Sequence, residues 1–170
     1  GVLPAVDVGR SVSRVGSKAQ REDYRKVAGS LKLAYAQFEE LETFARFGAR
    51  LDESTTQIIE HGRRIRACLK QPESAPVSVA AQITVLMALT KKLFDNVPLE
   101  RMPQAEHDVR EAAAQLPDAL RARFESAAQL GDADREVFVT VDRNALAGFQ
   151  PKAEAQSGPQ TPPASGRKSA

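Results

Sequence analysis

The sequence predicts a mainly α protein, an irregular helical bundle preceded by one short strand and a polar loop. Three observations carry that expectation. From Lys18 onward, apolar residues recur every three or four positions, the period of a helix with one buried face. The periodic stretches are bounded by Gly, Asp, Ser or Pro at positions suited to start or stop a helix. The one run of different character, residues 2–8, is rich in β-branched side chains. No internal repeat is present, and the helix lengths are too uneven for a solenoid of fixed period.

Residues 2–8 read as the strand, with Pro4 near its start, where a missing N–H does least harm, and Gly9 ending it. Residues 18–47 form the first long helix, its stripe made of Tyr24, Val27, Leu31, Ala34, Phe38, Leu41 and Ala45, and Gly48 is placed to stop it. Asp52 caps the second helix, residues 52–71, which carries Ile58, Ile65, Cys68 and Leu69 on one face and Arg63, Arg64, Arg66 and Lys70 mostly on the other. Pro72 and Pro76 break the chain, and Ser78 caps a third helix over residues 79–94 that is apolar on most sides and so the most buried element. Shorter helices follow at residues 103–116 and 117–129, and Asp132 caps the last, to about residue 147. From Gln150 the chain turns to Pro, Gly, Ser, Ala and Gln, with Arg167 and Lys168 near its end, which predicts a disordered tail over residues 150–170.

Composition narrows the function classes. With 42% hydrophobic and 5% aromatic residues, a chain of 170 residues buries a modest core of Leu, Ala, Val and Ile. A net charge of +2 from 24 basic and 22 acidic residues speaks against an electrostatically driven nucleic-acid or membrane binder. No apolar run reaches the roughly 18 residues of a membrane span, and no signal-peptide pattern is present. Direct membrane insertion is therefore not expected. Cys68 is the only cysteine and sits on the Ile65 and Leu69 face, so it reads as a buried packing thiol. Glu39, Glu40 and Glu42 read as a solvated acidic run, because no histidine or metal spacing accompanies them. The cluster Arg63, Arg64 and Arg66 reads as a solvated or subunit-facing surface, since no aromatics interleave to stack bases. His61 and His107 lack a second ligand cluster, so no metal site is expected.

The chemistry-bearing candidate is the loop at residues 9–16, where glycines bracket Ser11, Val12, Ser13, Arg14 and Val15. The alternation lets Val12 and Val15 bury as anchors while the hydroxyls and Arg14 point the other way. A guanidinium held like that suits a phosphate, because its planar fork donates two parallel hydrogen bonds and keeps its charge. The chain nevertheless contains no G-x-x-x-x-G-K-[ST] loop and no strand ending in an acidic residue suited to magnesium, so it is expected to bind no nucleotide by itself. It does not begin with Met, and its one strand has no partner strands, which leads to the expectation of a fragment.

Three further segments fit one family together with that loop: residues 35–48 (YAQFEELETFARFG), 69–72 (LKQP) and 146–149 (LAGF). In their order and spacing, over about residues 1–149, they resemble the C-terminal part of the alpha subunit of the F-type rotary ATP synthase. The resemblance implies that residues 1–17 are the last strand and arginine-finger loop of a truncated α/β nucleotide-binding domain, and residues 18–149 the C-terminal helical bundle domain. It implies that Arg14 is the catalytic residue, reaching the nucleotide held by an adjacent beta subunit, and that Gln71 contacts the adenine of the alpha subunit's own non-catalytic nucleotide. Ser74 stands where the family usually has Tyr or Phe, and Leu3 where an arginine is common. The turn at residues 47–52 resembles the loop facing the central stalk, the gamma subunit. ATP or ADP with magnesium, ion-gradient-coupled ATP turnover and a peripheral place on the cytoplasmic face of a bacterial inner membrane are likewise implied by the resemblance. A free-standing helical interaction module, binding a partner helix through apolar stripes, is the alternative.

Overall fold

The computed structural model describes residues 4–12, 15–48, 50–71, 74–125 and 130–150. Within these residues the periodic stretches fold into six α-helices: α1 Glu22–Arg46, α2 Glu53–Cys68, α3 Val79–Thr90, α4 Met102–Ala113, α5 Asp118–Glu125 and α6 Asp132–Leu146. Short 3-10 turns at Gly16–Ala19, Leu99–Arg101 and Ala147–Phe149 complete the regular structure. Residues 151–170, where the sequence predicts a tail, lie outside the described residues.

The boundaries follow local chemistry. The stripe on α1 buries Leu31, Tyr35 and Phe38, and the helix stops before Gly48, whose φ of +76° is a left-handed conformation that a Cβ would strain. The Asp52 carboxylate accepts from the Thr55 backbone N–H at 2.7 Å and starts α2. The Ser78 hydroxyl accepts from Ala81 N at 3.3 Å and starts α3. Two expectations are corrected at other ends. Rather than reaching residue 94, α3 stops at Thr90: Lys92 adopts a φ of +57°, with Leu93 N donating to Ala88 O and Lys92 N to Leu89 O, both at 2.9 Å. That pair of bonds closes a Schellman stop around a non-glycine residue. The cap of α6 is Gly131 and not Asp132; the Asp134 carboxylate accepts from Gly131 N at 2.8 Å, while Asp132 pairs with Arg135 at 2.6 Å.

The expected strand is absent from the described residues: residues 4–6 bend and residues 8–10 turn. An isolated strand has nowhere to place its backbone N–H and C=O groups. Here they are satisfied locally instead, with Arg10 N donating to Asp7 Oδ1 at 2.9 Å and Ser11 N to Asp7 O at 3.0 Å.

α3 is the axis of the bundle and touches each of the other five helices. One side of it, Val85, Ala88 and Leu89, joins a core cluster with Leu31, Tyr35 and Phe38 of α1 and Ile59, Ile65 and Cys68 of α2. The opposite side, Ala81, Ile83 and Met87, joins a second cluster with Ala113, Leu116, Leu120, Leu130 and Phe138. A helix apolar all round is the one that can be clamped on both sides.

Candidate functional site

Arg14 and Ser13 lie outside the described residues. The chain leading to them is pinned at Ser11, whose carbonyl accepts from Lys32 Nζ of α1 at 2.9 Å. The expected valine anchors are not buried. Val12 is 90% exposed and Val15 65% exposed. The chain before the loop is held instead by the Asp7 turn, by Lys32 and by Val8, which packs against the core cluster of α1, α2 and α3.

Gln71 lies just beyond α2, at the rim of a cleft of about 230 Å³ lined by Cys68, Leu69, Val77, Gln82, Glu106 and Arg110 among others. Its carboxamide nitrogen donates to Ala75 O at 2.5 Å, which leaves its oxygen as the group able to accept. Across the cleft, Gln82 Nε2 donates to Val77 O at 2.7 Å and Gln82 Oε1 accepts from the Tyr24 hydroxyl at 2.7 Å. The cleft therefore carries two carboxamides fixed by backbone carbonyls. Its floor holds an ion pair, Arg110 Nη2 to Glu106 Oε1 at 2.5 Å. Burial pushes the Glu106 carboxyl up, with Arg110 opposing, and burial likewise pushes the Cys68 thiol well above its ordinary value. A thiol held protonated is an inert packing group.

Glu106 is a residue of this cleft that the sequence reading does not single out. The signal was available: it falls on the stripe of Met102, Ala105, Val109 and Ala113, all buried, and Arg110 follows at the i,i+4 spacing that lets an ion pair share burial.

The basic cluster of α2 is also corrected. Arg64 is buried, with its Nε donating to Val97 O at 3.1 Å and its Nη1 to Glu60 O at 2.8 Å. Arg66 packs its guanidinium 4.4 Å from the Phe38 ring centroid and grips both oxygens of Glu42 at 3.0 and 2.9 Å. Glu42 is thus a partner in a half-buried pair rather than part of a solvated run, and this hydrogen bonding from Arg66 holds its carboxyl below the usual value. Only Arg63 keeps to an exposed face, beside Glu60. These arginines clamp α2 to α1 and to the chain before α4, so little of their charge is available to a nucleic acid. His61 is buried with Nδ1 2.6 Å from Asp95 Oδ1.

Comparison with known proteins agrees with this architecture. The family described as ATP synthase alpha/beta chain, C terminal domain, matches residues 20–144. A protein of Albidiferax ferrireducens named ATP synthase subunit alpha 2 is 69% identical over 161 residues, covering 95% of this chain and 30% of that protein. One of Polaromonas naphthalenivorans with the same name is 67% identical over 151 residues, 89% of this chain and 29% of that protein. ATP synthase subunit alpha 1 of a Marinomonas species is 64% identical over 149 residues, 88% of this chain and 29% of that protein. The chain therefore spans under a third of the length of these relatives.

Proposed function

The chain belongs to the ATP synthase alpha/beta family as its C-terminal domain, and on that premise we propose that it serves as the C-terminal part of an alpha subunit that lends an arginine to a neighbouring catalytic site. The observation that carries the reading is the 69% identity, over 95% of the chain, to a protein named as an alpha subunit. In this reading the helical bundle packs within a multi-subunit head beside beta subunits and a central stalk, and the ATP or ADP with magnesium belongs to the full assembly. The head is peripheral, on the cytoplasmic face of a bacterial inner membrane, and works in ion-gradient-coupled ATP synthesis or hydrolysis. Among the described residues, no helix is long and apolar enough to cross a membrane.

Arg14 supplies charge and a two-pronged hydrogen-bond donor to the phosphoryl group as it transfers on the adjacent beta subunit. Such a finger acts on charge that develops in the transition state, so the ground state gains little from it. Gln71 reads the edge of an adenine through the carboxamide oxygen that its bond to Ala75 leaves able to accept. The support for the first role is the loop's composition and the polar pinning at Ser11; for the second, the fixed carboxamides of the cleft.

The test is Arg14→Ala in the complete subunit assembled with its partners. Steady-state ATP turnover should fall by about 10³-fold or more while assembly and nucleotide affinity stay near wild type. Arg14→Lys should recover only part, since an ammonium keeps the charge and loses the fork. Turnover within a few fold of wild type, or an affinity that collapses with the rate, would show Arg14 to be structural.

A further inference from the structure

Asp142 sits on the buried face of α6 with Phe138, Val139 and Leu146 and is 0% exposed. Neither of its carboxylate oxygens has a hydrogen-bond partner among the described residues. An ionised carboxylate in that position would lose its hydration and gain nothing in exchange, so only the neutral acid fits the packed helix. A residue placed this way costs stability whenever water can ionise it, and an apolar side chain would avoid that cost.

The elements around it offer no compensating charge. α6 packs on α3 and α4. α3 carries no titratable side chain. α4 presents Asp108 and Glu111 along a groove of about 460 Å³ that it forms with Val141, Asn144 and Ala145 of α6, and both would repel a second negative charge. The remaining titratable groups of α4 line clefts on other sides: Glu106 and Arg110 beside Cys68, and His107 with Arg110 and Arg121 beside the start of α3. On α6 itself, Arg135 pairs with Asp132, and Asp134 pairs with Arg123. Arg143 and Glu136 lie on the exposed face.

We propose that Asp142 is a protonation latch: while its carboxyl is neutral α6 stays packed on α3 and α4, and when the proton is given up to water the carboxylate has no partner in the packed helix and must reach solvent, so that contact loosens. Burial pushes this carboxyl up to about 8 from its ordinary 3.8. The folded state then holds a proton that the opened state releases. The stability it contributes is fully present below about pH 3.8 and is lost progressively as pH rises towards about 8. The latch therefore loosens on the alkaline side.

Two measurements on the 170-residue chain decide it. The carboxyl carbon of Asp142, followed by NMR in the unmodified protein, should titrate near pH 8; a midpoint in the ordinary carboxylate range overturns the proposal. Amide hydrogen exchange in α6, taken as the ratio of the unmodified chain to Asp142→Asn at each pH, should rise at least about tenfold between pH 5 and pH 8, because each pH unit in that window shifts opening by up to about tenfold. The same ratio in α2 should stay flat. A flat ratio in α6, or an equal rise in every helix, overturns a latch local to α6. Should the asparagine variant fail to fold, the titration of the unmodified chain still decides.

Discussion

Where α1 crosses α2, the side chain of Phe38 lies where a Cβ on residue 62 would have to be: that atom would overlap Cβ, Cγ and Cδ2 of Phe38. Gly62 is therefore required by close approach, in a helix where it is otherwise a poor helix former. Phe38 cannot yield, since it is fully buried and roofed by the Arg66 guanidinium. Gly62→Ala should cost about 1–3 kcal/mol, the usual effect of overpacking, read as a lower urea midpoint at unchanged slope. Glu42 sits on the rim of the same contact and gives it an acid limit. Its carboxyl is held below the ordinary 4.5 by Arg66, so the pair's contribution is present above that value and lost as pH falls through the lower folded-state value. The difference in urea midpoint between the unmodified chain and Glu42→Gln should accordingly shrink towards zero as pH is lowered from the ordinary 4.5 through the lower folded-state value. A difference that persists unchanged in acid would mean that Arg66 is held by Phe38 and Tyr35 alone.

At the scale of the helices, the stop of α3 is made at Lys92, a non-glycine residue at φ +57°. Left-handed backbone costs an L-residue about 1–2 kcal/mol, and glycine in its place would lose about 0.4–1 kcal/mol through the freer unfolded chain. The difference favours Lys92→Gly by up to about 1.6 kcal/mol, measurable as a raised urea midpoint, and a lowered one would show that the Lys92 side chain contributes packing near His61 and Thr90. This stop was illegible in the sequence because lysine announces no turn, whereas Gly48, Asp52 and Ser78 each carry their role in their chemistry and were read correctly. The same distinction separates the arginines. Helical spacing put Arg63, Arg64 and Arg66 on a polar side, but spacing cannot see that Val97 O and Glu42 wait there, and two of the three are drawn inward. Of the candidate site, the Gln71 cleft was legible only as a position next to Pro72. Its walls, Gln82 and Glu106, come from two other helices, and no local pattern brings them together.

For the molecule as a whole, the arrangement of the core decides whether it unfolds as one body. The two apolar clusters share almost no residues, and with only that information the bundle would be read as two weakly coupled halves. They are joined by α3, which gives Val85, Ala88 and Leu89 to one and Ala81, Ile83 and Met87 to the other, and by Val27 of α1, which packs against both. Because α3 gives buried side chains to both clusters, neither half can open without stripping a buried side of the common helix. Unfolding should then be a single transition, with helix content by circular dichroism and the fluorescence of Tyr24 and Tyr35 changing together. Leu89→Ala in the first cluster and Ile83→Ala in the second should each lower that one transition by about 2–5 kcal/mol, the range for a buried aliphatic cut back to alanine. The residues lie on opposite sides of one helix and in different clusters, so their effects should add in the double variant to within about 0.5 kcal/mol. If instead Ile83→Ala splits the transition, so that the fluorescence signals survive after part of the helix content is gone, then α5 and α6 form a separable unit. The shared helix would in that case be a boundary between two bodies, not the axis of one.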